Sequence, residues 1–105
     1  MPKGIMVVQS SPAEGRESEY NEWYSQTHIP QILEIPGFVS ARRFRVSGEG
    51  QSSAHDYLAV YELEAADLAE PVAELRSRSA SGKTDRSDTL ASSPAPVVTV
   101  YQLID

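Results

Sequence analysis

Apolar positions along the chain follow two different periods, and the order of the segments predicts an α+β domain. Segments rich in β-branched and aromatic residues predict four strands, at 3–10, 38–46, 56–64 and 96–104. Apolar positions three to four residues apart predict two helices, at 16–35 and 67–78. The order strand, helix, strand, strand, helix, strand is the ferredoxin-like βαββαβ pattern. We therefore expect a four-stranded antiparallel sheet with two helices on one face, forming a single domain over 1–105.

A proline interrupts the first predicted helix. Pro30 has no backbone N–H, and its ring collides with the carbonyl of Gln26. The helix should therefore kink near residues 26–30 and continue with a shifted apolar face. The run Ile35-Pro36-Gly37 then predicts the end of this helix, because a residue that precedes proline avoids the helical conformation.

Two connections lack apolar periodicity. Residues 47–53 are rich in glycine and serine and predict the turn of a hairpin between the second and third strands. Residues 79–95 are rich in serine and mixed in charge. Because a structureless loop of this length is uncommon in a small domain, we interpret it as a lid or as a flexible excursion.

The third and fourth predicted strands are apolar on both faces. Tyr57, Ala59, Tyr61 and Leu63 alternate with Leu58 and Val60, which are joined by Val7 or Val8 and by Val98 or Val100. Two helices cover only one face of such a sheet, and a solvated face should be polar. We expect the open face to be covered by a second copy of the chain in a homodimer. The alternative is that the long serine-rich loop covers it.

Composition excludes several classes of partner and cofactor. The net charge of −6 makes nucleic acid an unsuitable partner, and the absence of cysteine excludes disulfides, thiolate nucleophiles and cysteine-based metal sites. With two histidines and no ligand spacing, we expect no metal and no cofactor. The N-terminal apolar run Ile5 to Val8 is too short for a signal peptide or a membrane span, so we expect a cytoplasmic protein without a membrane partner.

The first helix carries the residues best suited to chemistry. Tyr20, Tyr24 and His28 are four residues apart and share one helix face. A histidine with a pKa near ~6.5 can move a proton at neutral pH, and a tyrosine hydroxyl can orient the ligand. The alternative is that His28 is a packed core residue, with Trp23 and Tyr24 beside it.

Two further polar features invite interpretation. Arg43 and Arg45 share one strand face, where they could bind a carboxylate or an enolate, or pair with Glu62 or Asp56 across the hairpin. His55 stands beside the serine- and glycine-rich loop, so we expect it to be solvated. No phosphate-binding loop, nucleophile elbow or metal motif is present in the sequence.

Three short motifs resemble the dimeric α/β-barrel superfamily, and within it the EthD-like branch. They are Trp23-Tyr24-x-x-Thr27-His28-Ile29-Pro30, Ile35-Pro36-Gly37-Phe38 and Ala41-Arg42-Arg43-Phe44. The resemblance implies a pocket for a small hydrophobic, aromatic or polyketide-like molecule between sheet and helices. It also implies that the histidine at His28 lines this pocket as an acid/base or orienting group.

Together these features predict a cofactor-independent enzyme of the lyase, cyclase, dehydratase or isomerase type. Its substrate would be a small hydrophobic carbonyl or phenolic compound. His28 and Tyr24 are the predicted catalytic residues, and the predicted substrate-binding residues are Tyr20, Trp23, Phe38, Arg43 and Tyr61. The alternatives are a cofactor-free or haem-handling monooxygenase of the same fold, and a non-catalytic small-molecule-binding or stress protein.

Overall fold

A computed structural model describes residues 1–47, 55–81, 89, 91 and 95–104. The four strands are β1 (Lys3–Ser10), β2 (Phe38–Arg45), β3 (Tyr57–Glu64) and β4 (Val97–Gln102). The first helix has three parts: α1 (Glu17–Trp23), a π-helix (Tyr24–His28) and α2 (Ile29–Leu33). A second helix, α3 (Ala69–Ala80), precedes β4. The predicted βαββαβ order is confirmed.

The strands form one antiparallel sheet in the order β2-β3-β1-β4. β1 lies at the centre, between β3 and β4, and its Met6 is opposite Tyr61 on one side and Val100 on the other. The β2–β3 register places Arg43 opposite Ala59 and is shifted between Phe38 and Ser40. This is the ferredoxin-like α+β fold that the sequence predicts.

The helices cover one face of the sheet, where the main core forms. Tyr57, Ala59, Tyr61 and Leu63 of β3 are buried on this face, as the alternation along the strand predicts. Met6 of β1 is buried beside them. β2 adds Phe38, and the helices and connections add the other large core residues, which are Tyr20, Tyr24, Ile32, Ile35, Leu68 and Val72.

The opposite face of the sheet has an apolar centre and no covering layer among the described residues. At its centre Val7 and Val60 are paired and half-buried, and Val7 belongs to this face whereas Val8 does not. On β4 the register places Tyr101 on this face, opposite Ile5, whereas Val98 and Val100 lie on the helix side. We call this surface, formed by Ile5, Val7, Phe44, Leu58, Val60, Val97 and Tyr101, the open face.

The structure corrects the prediction for His55. This residue is buried, with Nδ1 2.9 Å from the Ser11 hydroxyl and Nε2 3.0 Å from the carbonyl of Ala95. It therefore joins the connections before α1 and before β4 instead of facing solvent. The proximity to a polar loop was a poor guide, because tertiary hydrogen bonds compensate the burial of an imidazole.

The predicted 79–95 connection is described only in part. Residues 79 and 80 belong to α3, which therefore extends beyond the predicted end at 78. Thr89 is buried, and its carbonyl accepts a hydrogen bond from the Ala13 N–H, while Ala91 donates to the Ser11 carbonyl. These residues lie against the β1–α1 connection. The rest of the predicted lid, and most of the predicted 47–53 turn, lies outside the described residues.

Candidate functional site in the first helix

The predicted disruption around Pro30 takes the form of a π-helix. The N–H of Ile29 donates to the carbonyl of Tyr24, five residues back, instead of the four-residue bond of an α-helix. Pro30 has no N–H with which to continue the α-helical pattern, so the wider turn relieves its position. The π-helix brings the side chain of His28 into contact with two aromatic rings of the preceding turn.

His28 packs between Trp23 and Tyr24. Its ring stacks on Trp23, with centroids 4.5 Å apart and planes 22° apart. Tyr24 meets the same imidazole nearly at right angles, with centroids 5.0 Å apart. The structure therefore brings together both predicted catalytic residues and one predicted substrate-binding residue.

Two buried nitrogen atoms in this cluster, Nε1 of Trp23 and Nδ1 of His28, have no hydrogen-bond partner among the residues that the structure describes. Burial without a charged neighbour lowers the pKa of His28 from 6.5 to about 4, because desolvation disfavours the imidazolium. His28 is therefore neutral at pH 7, whereas the sequence alone led us to expect an ordinary histidine pKa. An indole N–H only donates, while a neutral imidazole nitrogen donates or accepts according to its tautomer.

Tyr24 and Tyr61 form a buried hydroxyl pair beneath the π-helix. The Tyr61 hydroxyl donates to that of Tyr24 over 3.4 Å. Desolvation raises the pKa of Tyr24 to about 12 and also raises the pKa of Tyr61. Both phenols therefore keep their protons at neutral pH and act as donors, not as bases. Phe38 packs edge-on against Tyr61, with centroids 5.9 Å apart.

Arg43 connects β2 to the first helix. Its guanidinium donates to Asn21 Oδ1 at 2.8 Å and to Ser25 Oγ at 3.2 Å. The guanidinium carbon lies 4.6 Å from the ring centroid of Tyr24 and 5.4 Å from that of Tyr20, within the range of cation–π attraction. From the sequence, Glu62 or Asp56 across the hairpin was one predicted partner of Arg43. In the structure, its guanidinium instead donates hydrogen bonds to polar side chains of the first helix.

Tyr20 lies one turn before the π-helix and is fully buried. Its hydroxyl is 2.5 Å from the Ser10 hydroxyl, and burial raises its pKa. The seven predicted site residues thus form one continuous set of contacts, with Tyr20 and Phe38 in its packed interior. Asn21 and Ser25 were not predicted from the sequence, and their four-residue spacing on the edge facing β2 was the available signal.

A cavity of about 370 Å³ opens beside Trp23. Gln26, Thr27 and Thr89 also line it, together with Arg16, Glu19 and Glu22. A larger depression, of about 590 Å³, lies on the open face beside Phe44 and Tyr101. The described part of the chain contains no group of three or more histidine, aspartate or glutamate side chains suited to hold a metal ion.

This topology, with its first helix interrupted by a π-helix, defines a ferredoxin-like α+β fold. A family model described as a domain of unknown function, DUF4286, matches residues 5–72, and the chain belongs to that family. None of the curated proteins is significantly similar to it.

Two solved structures share the whole fold. One is an ethyl tert-butyl ether D (EthD) family protein from Bacillus halodurans C-125, with a TM-score of 0.63, 17% identity, and coverage of 95% of this chain and 96% of that one. The other is a candidate monooxygenase from Shewanella loihica PV-4, with a TM-score of 0.61, 16% identity, and coverage of 100% and 98%. The predicted resemblance in fold to EthD proteins is confirmed. In the described ranges no helix has the length and apolar character needed to span a membrane.

Proposed function

We propose that this protein is a cofactor-independent enzyme that moves a proton on a small hydrophobic carbonyl or phenolic compound at the π-helix. The observation that carries the proposal is the pair of buried, unpartnered nitrogen atoms of Trp23 and His28. Leaving a buried polar group unpaired costs roughly 1–3 kcal/mol, so two such atoms in contacting rings favour a missing partner. A ligand oxygen would supply it.

The surrounding rings favour an apolar ligand with an oxygen acceptor. Trp23 donates through its indole N–H, so it selects a carbonyl, phenolic or enolate oxygen over a cation. The ring of Tyr24, which contacts Trp23 edge-on, extends the apolar surroundings of the indole. Because Trp23 also lines the neighbouring cavity, a ligand of modest size could contact it from that side.

The protonation states favour enolate-type chemistry. His28 is neutral at pH 7, because burial lowers its pKa to about 4, and Tyr24 keeps its proton because its pKa is about 12. When a substrate loses a proton from carbon, negative charge develops on its oxygen. That charge would raise the pKa of the adjacent His28 and allow it to hold the proton. Tyr24 would stabilise the oxygen as a neutral donor.

The functional form in this proposal is a homodimer that pairs through the open face. A half-exposed aromatic pair, Phe44 and Tyr101, flanks the apolar centre of that face. A second copy would remove this surface from water and leave both π-helices on the outer, helix-covered faces. The predicted single domain over 1–105 is the unit that dimerises.

Hydrogen–deuterium exchange at the methyl group of acetophenone tests proton transfer without knowledge of the natural substrate. We expect the protein to accelerate the exchange in D₂O, followed by proton NMR. His28→Ala should reduce the catalysed rate by ~10²- to 10⁴-fold. Arg45→Gln, at an exposed position outside the ring cluster, is the matched control. If His28→Ala accelerated the exchange as much as the wild type does, His28 would have no role in the proposed proton transfer.

A second candidate function is monooxygenation, favoured by the Shewanella loihica structure of the same fold. Incubation with haemin separates the haem-handling version, because ligation by His28 would produce a Soret band that His28→Ala lacks. A third candidate is ligand binding without turnover. The fluorescence of Trp23, the single tryptophan of the chain, would then change with 2-naphthol, which would be recovered unaltered.

A further inference from the structure

We propose that Ser11 and His55 form a separate reactive site, at which Ser11 is a nucleophile for acyl transfer from small neutral carboxylic esters. Nδ1 of His55 lies 2.9 Å from Oγ of Ser11, and Nε2 lies 3.0 Å from the carbonyl oxygen of Ala95. A serine hydroxyl in contact with a histidine that a third group orients is the arrangement that activates a serine for attack. The site shares no residue with the π-helix and its proposed proton transfer.

The carbonyl of Ala95 fixes the direction of both hydrogen bonds. A carbonyl oxygen can only accept, so the proton of the neutral imidazole resides on Nε2, and Nδ1 carries the lone pair. The Ser11 hydroxyl therefore donates to Nδ1 of His55. The imidazole is thus held in the tautomer that can remove the hydroxyl proton, and the carbonyl would stabilise the imidazolium that forms.

Backbone contacts hold the nucleophile and its base in place. Ser11 and Ala95 each precede a proline, which restricts their backbones to extended conformations. The Ser11 carbonyl also accepts a hydrogen bond from the Ala91 N–H at 2.9 Å. His55 lies two residues before the first residue of β3, so the sheet positions it. Serine and histidine therefore meet without further ordering, which favours reaction between them and a bound ester.

Burial and charge indicate the class of substrate. His55 is 4% exposed, so its lone pair is shielded from bulk water, whereas Ser11 is half-buried and can be approached by a solute. Exposed Glu14 and Glu17 follow Ser11 along the chain, and the protein has a net charge of −6. An anionic acyl donor would be repelled by this charge. The site therefore suits a small neutral ester.

The proposed reaction is hydrolysis of the ester in two steps. In the first step, a bond forms between Oγ of Ser11 and the acyl carbon, while Nδ1 of His55 takes the hydroxyl proton. The bond from the acyl carbon to the leaving oxygen then breaks, and that oxygen receives the proton. In the second step, His55 removes a proton from water, which attacks the acyl-serine. A carboxylic acid and a free Ser11 hydroxyl result.

Acylation by p-nitrophenyl acetate tests this site. We expect the protein to release p-nitrophenolate, measured by its absorbance, and tandem mass spectrometry after acid quenching to locate the acetyl group on Ser11. Ser11→Ala should abolish the catalysed release, and His55→Gln should slow it by ~10²- to 10⁴-fold because it removes the base. Ser11 is small and half-buried, so Ser11→Ala should fold even if substitution of the buried His55 does not allow folding.

Two controls separate this site from general acetylation. Ser18→Ala removes an exposed serine of α1 and should leave the release of p-nitrophenolate unchanged. His28→Ala should also leave it unchanged, so the outcome does not depend on the proton-transfer function. Release that Ser11→Ala does not reduce, or acetylation as frequent on Ser18 as on Ser11 in the wild type, would overturn the proposal.

Discussion

At the scale of single residues, the surroundings of His28 determine its protonation state. Its neighbours are aromatic rings, so burial is compensated by dispersion and not by a charge. The same imidazole in water would be half-protonated near pH ~6.5. In this environment it is a neutral polar group that lacks a partner, which suits a site whose negative charge arrives with the substrate.

The lowered pKa of His28 predicts how stability changes with pH. The unfolded chain binds a proton near pH 6.5, whereas the folded chain does so only near pH 4, so stability falls as the pH drops from 6.5 to 4. We expect His28 to account for a loss of about 2–3 kcal/mol over this window, because a tenfold difference in proton affinity between the two states corresponds to about 1.4 kcal/mol. Urea unfolding at pH 7.0, 5.5 and 4.5 measures it. His28→Gln should have a shallower pH dependence, and parallel curves for both proteins would contradict the prediction.

At the scale of elements, the link between the first helix and β2 depends on one glycine. Gly37 has a φ of +102°, and a Cβ there would lie 2.7 Å from Cγ of Pro71. Gly15 also has a positive φ, +76°, but a Cβ there would meet nothing within 4 Å. Gly37→Ala should therefore cost about 2–4 kcal/mol from strain and collision, and Gly15→Ala about 1 kcal/mol from strain alone. Chemical denaturation of both variants separates backbone strain from collision. Equal losses of stability in the two variants would exclude a collision at Gly37.

Arg43 provides a second test at this scale, because it fastens the π-helix to the sheet. Arg43→Lys keeps the charge but loses the planar fork that reaches Asn21 and Ser25 together. We expect a loss of about 1–2 kcal/mol in the free energy of unfolding. Arg45→Lys, two residues along the same strand face, should be nearly neutral, since Arg45 is exposed. If the two variants were equally stable, the hydrogen bonds from Arg43 to Asn21 and Ser25 would contribute nothing measurable to the free energy of unfolding.

Sequence patterns predicted the elements well because strand and helix periods are local properties. The two-residue period correctly placed Tyr57 and Tyr61 together on one face of β3, and Pro30 marked the interruption of the first helix. The same patterns gave neither the π-helical form of that interruption nor the burial of His55. Both depend on hydrogen bonds and desolvation between segments distant in sequence, which a periodicity does not record.

At the scale of the whole molecule, the open face is the feature that one chain leaves unexplained. Val7 and Val60 lie at its centre, and the flanking Phe44 and Tyr101 are 49% and 54% exposed. Burial of apolar surface contributes roughly 25 cal/mol per Å² of favourable free energy. Covering this face with a second copy would therefore favour association. The face is continuous across all four strands and lies opposite both helices, which fits an isologous two-fold contact.

The final prediction concerns this contact. Light scattering should give twice the chain mass of 11.5 kDa, and Tyr101→Lys and Phe44→Lys should each shift the protein to one chain mass. Both side chains are already half-exposed in the isolated chain, so the variants should fold, as circular dichroism can verify.

The control is Leu33→Lys, which places the same charge at a comparably exposed apolar position on the first helix. A wild-type mass of one chain would contradict the dimer, and dissociation by Leu33→Lys alone would place the contact on the helices. Because the π-helix lies on the opposite side of the sheet, monomeric Tyr101→Lys should retain the acetophenone exchange if that site is complete within one chain.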